Sequence, residues 1–274
     1  MCGIIGYTGS KQAVPILMEG LGRLEYRGYD SSGIAVFDEN GLTVVKCRGR
    51  LAALQEKLKE YQLKSGTGIG HTRWATHGEP NDINSHPHIS YGGRIAMVHN
   101  GIIENYIALR EFLKAAGYCF VSETDTEVVA HLIDYYYTGD LAEAVFAAIE
   151  QIEGSYALGV LCREHPGMMV AARKDSPLII GLGEGENFIA SDIPAIYTHT
   201  REIIILEDQE LAILTPDGVR IMNHFRKEIH KTPFHVGWDV SAAERGGYEH
   251  FMMKEIYEEP RAVRDTLSPR IRGG

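Results

Sequence analysis

Two spacings of apolar residues alternate along the chain and divide it into strands and helices. Ile4, Ile5 and Tyr7 open a strand directly after Cys2-Gly3. Val14, Leu17, Leu21 and Leu24 then recur at helical spacing, with Pro15 tolerated in the first turn. A short strand over 34–37 leads through Asn40-Gly41, a hairpin pair, into a strand over 42–45. Leu51, Leu54, Leu58 and Tyr61 mark a second helix, and strands are predicted over 67–71, 95–99 and 119–121. Between the last two, a helix over 105–116 stops at Gly117. Thr124 and Glu127 have capping-box spacing ahead of Val128, Val129, Leu132, Ile133 and Tyr136, which puts Asp125 in a first helical turn. A further helix spans 141–152.

From 155 to 223 the period changes to short strands, over 156–162, 168–172, 178–182, 188–191, 203–206, 211–214 and 219–222. Their close spacing demands antiparallel pairing, because parallel neighbours need long crossovers. Strands at both ends with helices grouped between them predict an α+β domain of two antiparallel sheets covered by helices. The segment 224–247 is polar, and a helical phrase over 252–257 is expected to stop at Glu259-Pro260. The last stretch reads as a linker.

The charge balance narrows the partners. There are 27 basic and 37 acidic residues, a net charge of −10 with no basic block, so neither nucleic acid nor an anionic membrane surface is expected. No apolar run is long enough to span a membrane and no secretion signal is evident, which predicts a cytoplasmic protein. The four cysteines are few and widely spaced, and read as free thiols. Cys47, Cys119 and Cys162 sit in strand-like runs as small buried hydrophobes.

Candidate chemistry concentrates in a few stretches. Cys2 would become the first residue if Met1 is removed, joining a thiol nucleophile and an α-amine base on one carbon. The plainer reading is a small buried strand residue. The loop 25–33 and the irregular stretch 71–88, with an Arg, a Trp and several His, are costly as mere connectors. Asn100-Gly101, expected at a strand end, offers oxyanion donors or is simply a turn pair. Arg73 and Asp125 suit the carboxylate and ammonium of an amino acid, although Asp is also favoured at a helix start by the dipole. Five histidines, His71, His77, His86, His88 and His99, lie close in sequence without metal-ligand spacing, and the glycine runs lack a phosphate-loop pattern. No metal or cofactor is expected.

The stretches Cys2-Gly3-Ile4, Tyr26-Arg27-Gly28-Tyr29-Asp30-Ser31, Arg73-Trp74-Ala75-Thr76-His77-Gly78, His99-Asn100-Gly101 and Thr124-Asp125-Thr126-Glu127 together resemble the class II glutamine amidotransferases. Within that class they resemble the glutaminase domain of the glutamine:fructose-6-phosphate aminotransferase branch. The resemblance implies an N-terminal-nucleophile αββα sandwich and hydrolysis of L-glutamine through a Cys2 γ-glutamyl thioester. It implies Asn100 and Gly101 as oxyanion hole, with Arg73, Trp74, Thr76, His77 and Asp125 around the substrate. Arg27 and Gly28 are implied to support the nucleophile, and the Trp74 loop to close over glutamine. It also implies a glutaminase domain over 2–240 and a linker over 241–274. That linker would lead toward a C-terminal isomerase region absent from this chain, which makes glucosamine 6-phosphate in a homo-oligomeric full-length protein.

Overall fold

The structure is a computed structural model and describes residues 2–38, 41–75, 78–237, 248 and 251–267. In chain order the first half holds β1 (Gly3–Gly9), α1 (Ala13–Leu24), β2 (Ser31–Asp38), β3 (Gly41–Arg48), α2 (Leu51–Leu58), β4 (Thr67–Arg73), β5 (His88–Ile89) and β6 (Ile95–Ile103). Helices α3 (Tyr106–Ala115), α4 (Thr126–Tyr136) and α5 (Leu141–Ile149) follow. The remaining strands are β7 (Gly154–Cys162), β8 (Met169–Lys174), β9 (Ile179–Leu182), β10 (Glu186–Ala190), β11 (Glu202–Ile205), β12 (Glu210–Thr215), β13 (Gly218–Met222), β14 (Glu228–Ile229) and β15 (Phe234–His235). A last helix, α6, spans Phe251–Leu267.

Two sheets result, with strand orders β15-β11-β9-β10-β1-β4-β2-β3 and β14-β13-β12-β8-β7-β6-β5. Every strand pair in their ladders is antiparallel. Side chains alternate along each strand, so β6 sends Ile95 and Met97 toward the helices and Ala96 and Val98 into the layer between the sheets. Because both faces of the central strands are buried, both carry apolar residues. Ile4, Ile69, Val98, Leu161 and Ile189 pack between the sheets. On one outer face α1 packs on β1 and β4; on the other, α4 and α5 cover β6, β8 and β12. The architecture is the expected αββα sandwich.

Several local expectations change. Asn100-Gly101 is not a strand end, since β6 stays paired with β7 through Ile103↔Gly154. Residues 71–73 belong to β4 and 31–33 to β2, so the irregular stretches are shorter than their composition suggests. The predicted strand over 119–121 is absent. There the N–H of Val121 and that of Ser122 donate to the Glu127 carboxylate at 2.9 and 2.7 Å, which satisfies the backbone without a ladder. Cys119 is consequently exposed, whereas Cys47 and Cys162 are buried and all three are free thiols.

The chain divides into two units, Met1–Val236 and Gly237–Gly274. In the second, α6 runs through Pro260 to Leu267 instead of stopping. Proline removes one N–H from the ladder, and the surrounding Lys, Glu, Ala and Arg residues are helix formers that carry the helix past it. The expected boundary at 240/241 lies outside the described residues. Among the described residues no helix is long and apolar enough to cross a membrane.

Candidate active site

The site forms where the start of β1 meets the end of β4 and the second half of β6. Antiparallel pairing sets Gly3 against Thr72 and Ile4 against His71, so continuing the register brings Cys2 beside Arg73. The two sheets are joined here through the side chains of Asn100 and His71. Asn100, on β6, donates from Nδ2 to the carbonyl of Cys2 at 3.1 Å and accepts at Oδ1 from His71 Nε2 at 2.9 Å.

His71 determines which way that amide points. Its Nε2 also contacts the His99 carbonyl at 3.1 Å; both neighbours are acceptors, so Nε2 carries the proton. Burial pushes the His71 pKa down to about 3, which keeps the ring neutral and its tautomer fixed. His86 stacks on it at a centroid distance of 4.2 Å. His99 is held in turn by the Thr126 hydroxyl at Nδ1, 2.9 Å, and the Ser155 carbonyl at Nε2, 3.3 Å.

The nucleophile candidate is held by main chain. Cys2 Sγ accepts from Trp74 N at 3.3 Å and donates to Trp74 O at 3.6 Å. Burial raises the thiol above its ordinary pKa, and the Trp74 N–H and the Arg73 charge offset this only in part. The resting sulfur is therefore a thiol that needs a base. Asp30 fixes the same loop by accepting from Ala75 N at 2.7 Å. Gly28 is required by close approach: a Cβ there would lie 2.7 Å from the Arg73 carbonyl carbon and 2.9 Å from Trp74 N. Gly101 is required twice over, with φ +137° and an added Cβ only 2.0 Å from the Ser155 carbonyl oxygen.

Opposite charges line the cavity. Arg73 and Asp125 are both buried, and both line it with Cys2, Trp74, Gly101 and Thr124. Asp125 Oδ2 accepts from Ile103 N at 2.8 Å, which ties the carboxylate to β6. Asp125 is the N-cap residue of α4, one position before the first turn. The Thr124 hydroxyl accepts from Glu127 N at 3.4 Å as a capping box requires, but the Glu127 carboxylate reaches back past Thr124 to Val121 and Ser122.

A family model described as a glutamine amidotransferase domain matches residues 71–198. A glutamine–fructose-6-phosphate aminotransferase (isomerizing) of Clostridium tetani is 60% identical over 271 residues, 99% of this chain and 45% of the relative. One of Thermus thermophilus is 51% identical, over 99% of this chain and 45% of the relative. The chain belongs to the class II glutamine amidotransferases. It spans about 45% of the length of these curated relatives. Among solved structures, a glutamine phosphoribosylpyrophosphate amidotransferase from B. subtilis superposes with a TM-score of 0.71 at 27% identity, covering 81% of this chain and 49% of that one.

In this amidotransferase domain, Cys2, Arg73, Trp74, Gly101 and Asp125 come together around one cavity, and Asn100 borders it through Cys2. Thr76 and His77 lie outside the described residues. Gly28 supports the Trp74 loop as above, but Arg27 forms an ion pair with Asp192, which also accepts from Tyr26. Sequence reasoning weighed His71 and His99 only as metal ligands and quoted Asp30 and Thr126 only within motifs, giving none of the four a role in the site. A signal existed for the histidines, since His71 and His99 each end an apolar strand run, where a polar residue must find a buried partner. Among the described residues no group of three or more His, Cys, Asp or Glu side chains is placed to hold a metal ion.

Proposed function

We propose that the chain hydrolyses the side-chain amide of L-glutamine to glutamate and ammonia at Cys2. The supporting observation is the convergence of a thiol, an oriented amide donor and an Arg–Asp pair on one cavity. Once Met1 is removed, the α-amine of Cys2 takes the thiol proton; such amines titrate near 8, matched to the task. The thiolate attacks the carboxamide carbon, and the oxyanion receives hydrogen bonds from Asn100 Nδ2 and Gly101 N–H. Collapse breaks the C–N bond as the amine returns its proton to the departing ammonia, leaving a γ-glutamyl thioester. Water then gives a proton to the amine and its oxygen to the acyl carbon, and glutamate leaves as the thiol is restored.

Arg73 takes the substrate carboxylate and Asp125 its ammonium, Thr76 and His77 help to bind the substrate, and the loop around Trp74 closes over it. Arg27 and Gly28 support the nucleophile's surroundings. The ammonia serves glucosamine 6-phosphate synthesis from fructose 6-phosphate, performed by a C-terminal isomerase region in the full-length protein. Two features of the names and lengths of the relatives support that destination: they are aminotransferases of fructose 6-phosphate, and this chain accounts for about 45% of them. Residues 2–240 form the glutaminase domain and 241–274 the linker, in a cytoplasmic homo-oligomer. Ammonia release from glutamine tests the reading. It is expected from the wild type and abolished in Cys2→Ala, and equal rates in the two would overturn it.

A further inference from the structure

The segment after the Trp74 loop carries a buried amide that no step above uses. Asn84 is buried, at 1% exposure, yet its amide is nearly saturated with hydrogen bonds. Nδ2 donates to the Glu79 carbonyl at 3.0 Å and to Glu123 Oε2 at 3.2 Å, and Oδ1 accepts from Glu123 N at 3.0 Å. The orientation is unambiguous: a main-chain N–H faces the oxygen and two acceptors face the nitrogen, so a flipped amide would meet like with like at every contact. Asn84 itself is held on both sides, because Lys46 Nζ donates to the carbonyls of Ile83 and Ser85 at 3.0 and 2.7 Å.

These contacts lead to both charged groups of the site. Glu79 follows Gly78, whose carbonyl accepts from Arg73 Nη2 at 3.2 Å. Glu123 lies two residues before Asp125, on the segment whose Thr124 is fixed by His88 at 3.0 Å. One amide thus clasps the loop that holds Arg73 to the loop that carries Asp125, between residues 39 apart in sequence.

We infer that Asn84 is a positioning residue that sets the span between Arg73 and Asp125, and so the affinity for a substrate bearing both an α-carboxylate and an α-ammonium. The inference rests on the proposed glutaminase reading. An amino acid held at two charged ends is sensitive to their separation, whereas the thiol, held by Trp74 main chain, is not.

The test uses Asn84→Asp, which keeps shape but replaces two donors with a carboxylate facing Glu123. The same change combined with Glu123→Gln restores a donor across the gap. Asn84→Asp is expected to raise KM for L-glutamine at least about tenfold with kcat within about threefold. Alkylation of Cys2 by iodoacetamide, which has no α-groups to read, is expected to keep its wild-type rate. The double variant is expected to recover most of the lost affinity. A wild-type KM in Asn84→Asp, an equal fall in iodoacetamide reactivity, or no recovery in the double variant would overturn the clasp while leaving glutaminase activity intact. A wild type that releases no ammonia would instead overturn the functional reading, and the clasp with it.

Discussion

The rim and the floor of the cavity are built from different kinds of bond. At the rim, Cys2 Sγ is held by the N–H and carbonyl of Trp74, a residue 45% exposed whose ring meets the edge of Tyr29. At the floor and directly behind it, His86, His99 and Asp125, which line the cavity, and His71 and Glu127, which do not, are buried and linked by side-chain hydrogen bonds to β6, α4 and the segment before α4. Main-chain contacts to a loop can be broken and remade while the core stays folded. Buried polar networks cannot open without exposing unpaired groups, which costs stability. On the proposed reading, the candidate nucleophile is therefore held where movement is cheap, and Asp125, which would take the substrate ammonium, is held where movement is expensive.

The sharpest way to break the contrast is to strike the rim. Gly28→Ala should push the Arg73–Trp74 backbone off Cys2 and lower kcat on the order of 100-fold, measured by ammonia release. Its melting temperature should fall less than that of a floor variant. Glu127→Gln is that floor variant. Burial alone would raise this carboxyl, but hydrogen bonds from His131, Ser122 and Val121 outweigh it and hold it well below the ordinary carboxylate range. Losing the charge-assisted bonds should cost about 2–3 kcal/mol in denaturant unfolding.

A smaller and graded effect comes from pH. Burial depresses His71, His86, His88 and His99 below the ordinary value of about 6.5, so the folded state binds fewer protons than the unfolded chain. Their contribution is intact above pH 6.5 and is lost as pH falls from there toward the depressed values. Each histidine that protonates only on unfolding lowers stability by about 1.4 kcal/mol between pH 7.5 and 5.5, with a limiting slope of about 1.4 kcal/mol per pH unit below that, readable from unfolding free energies. His71→Asn should flatten that slope by one such increment.

The contrast also explains what the sequence made legible. Apolar period alone identified β1, α1, β6 to β8 and α5, because those residues bury against neighbours whatever their partner's identity. The motif residues Cys2, Arg73, Gly101 and Asp125 stood out through chemistry unusual for their places. The supporting shell did not. Asn84, Asp30 and His71 act through partners 39, 45 and 29 residues away, and no local spacing encodes such pairings. Glu127 had a local signal, the capping box, yet its carboxylate is spent on Val121 and Ser122 and so removes a predicted strand. The helix through Pro260 shows the same limit, since one missing N–H is outweighed by the residues around it.

The central claim is that residue 2, freed of Met1, carries the acyl group. Acid-quenching the wild type during turnover with L-glutamine and mapping the N-terminal peptide by mass spectrometry tests it most directly. The account predicts a peptide that begins at Cys2 and bears one glutamyl group on its sulfur, absent from Cys2→Ala. An active protein that retains Met1, or a glutamyl group on any other residue, would contradict it.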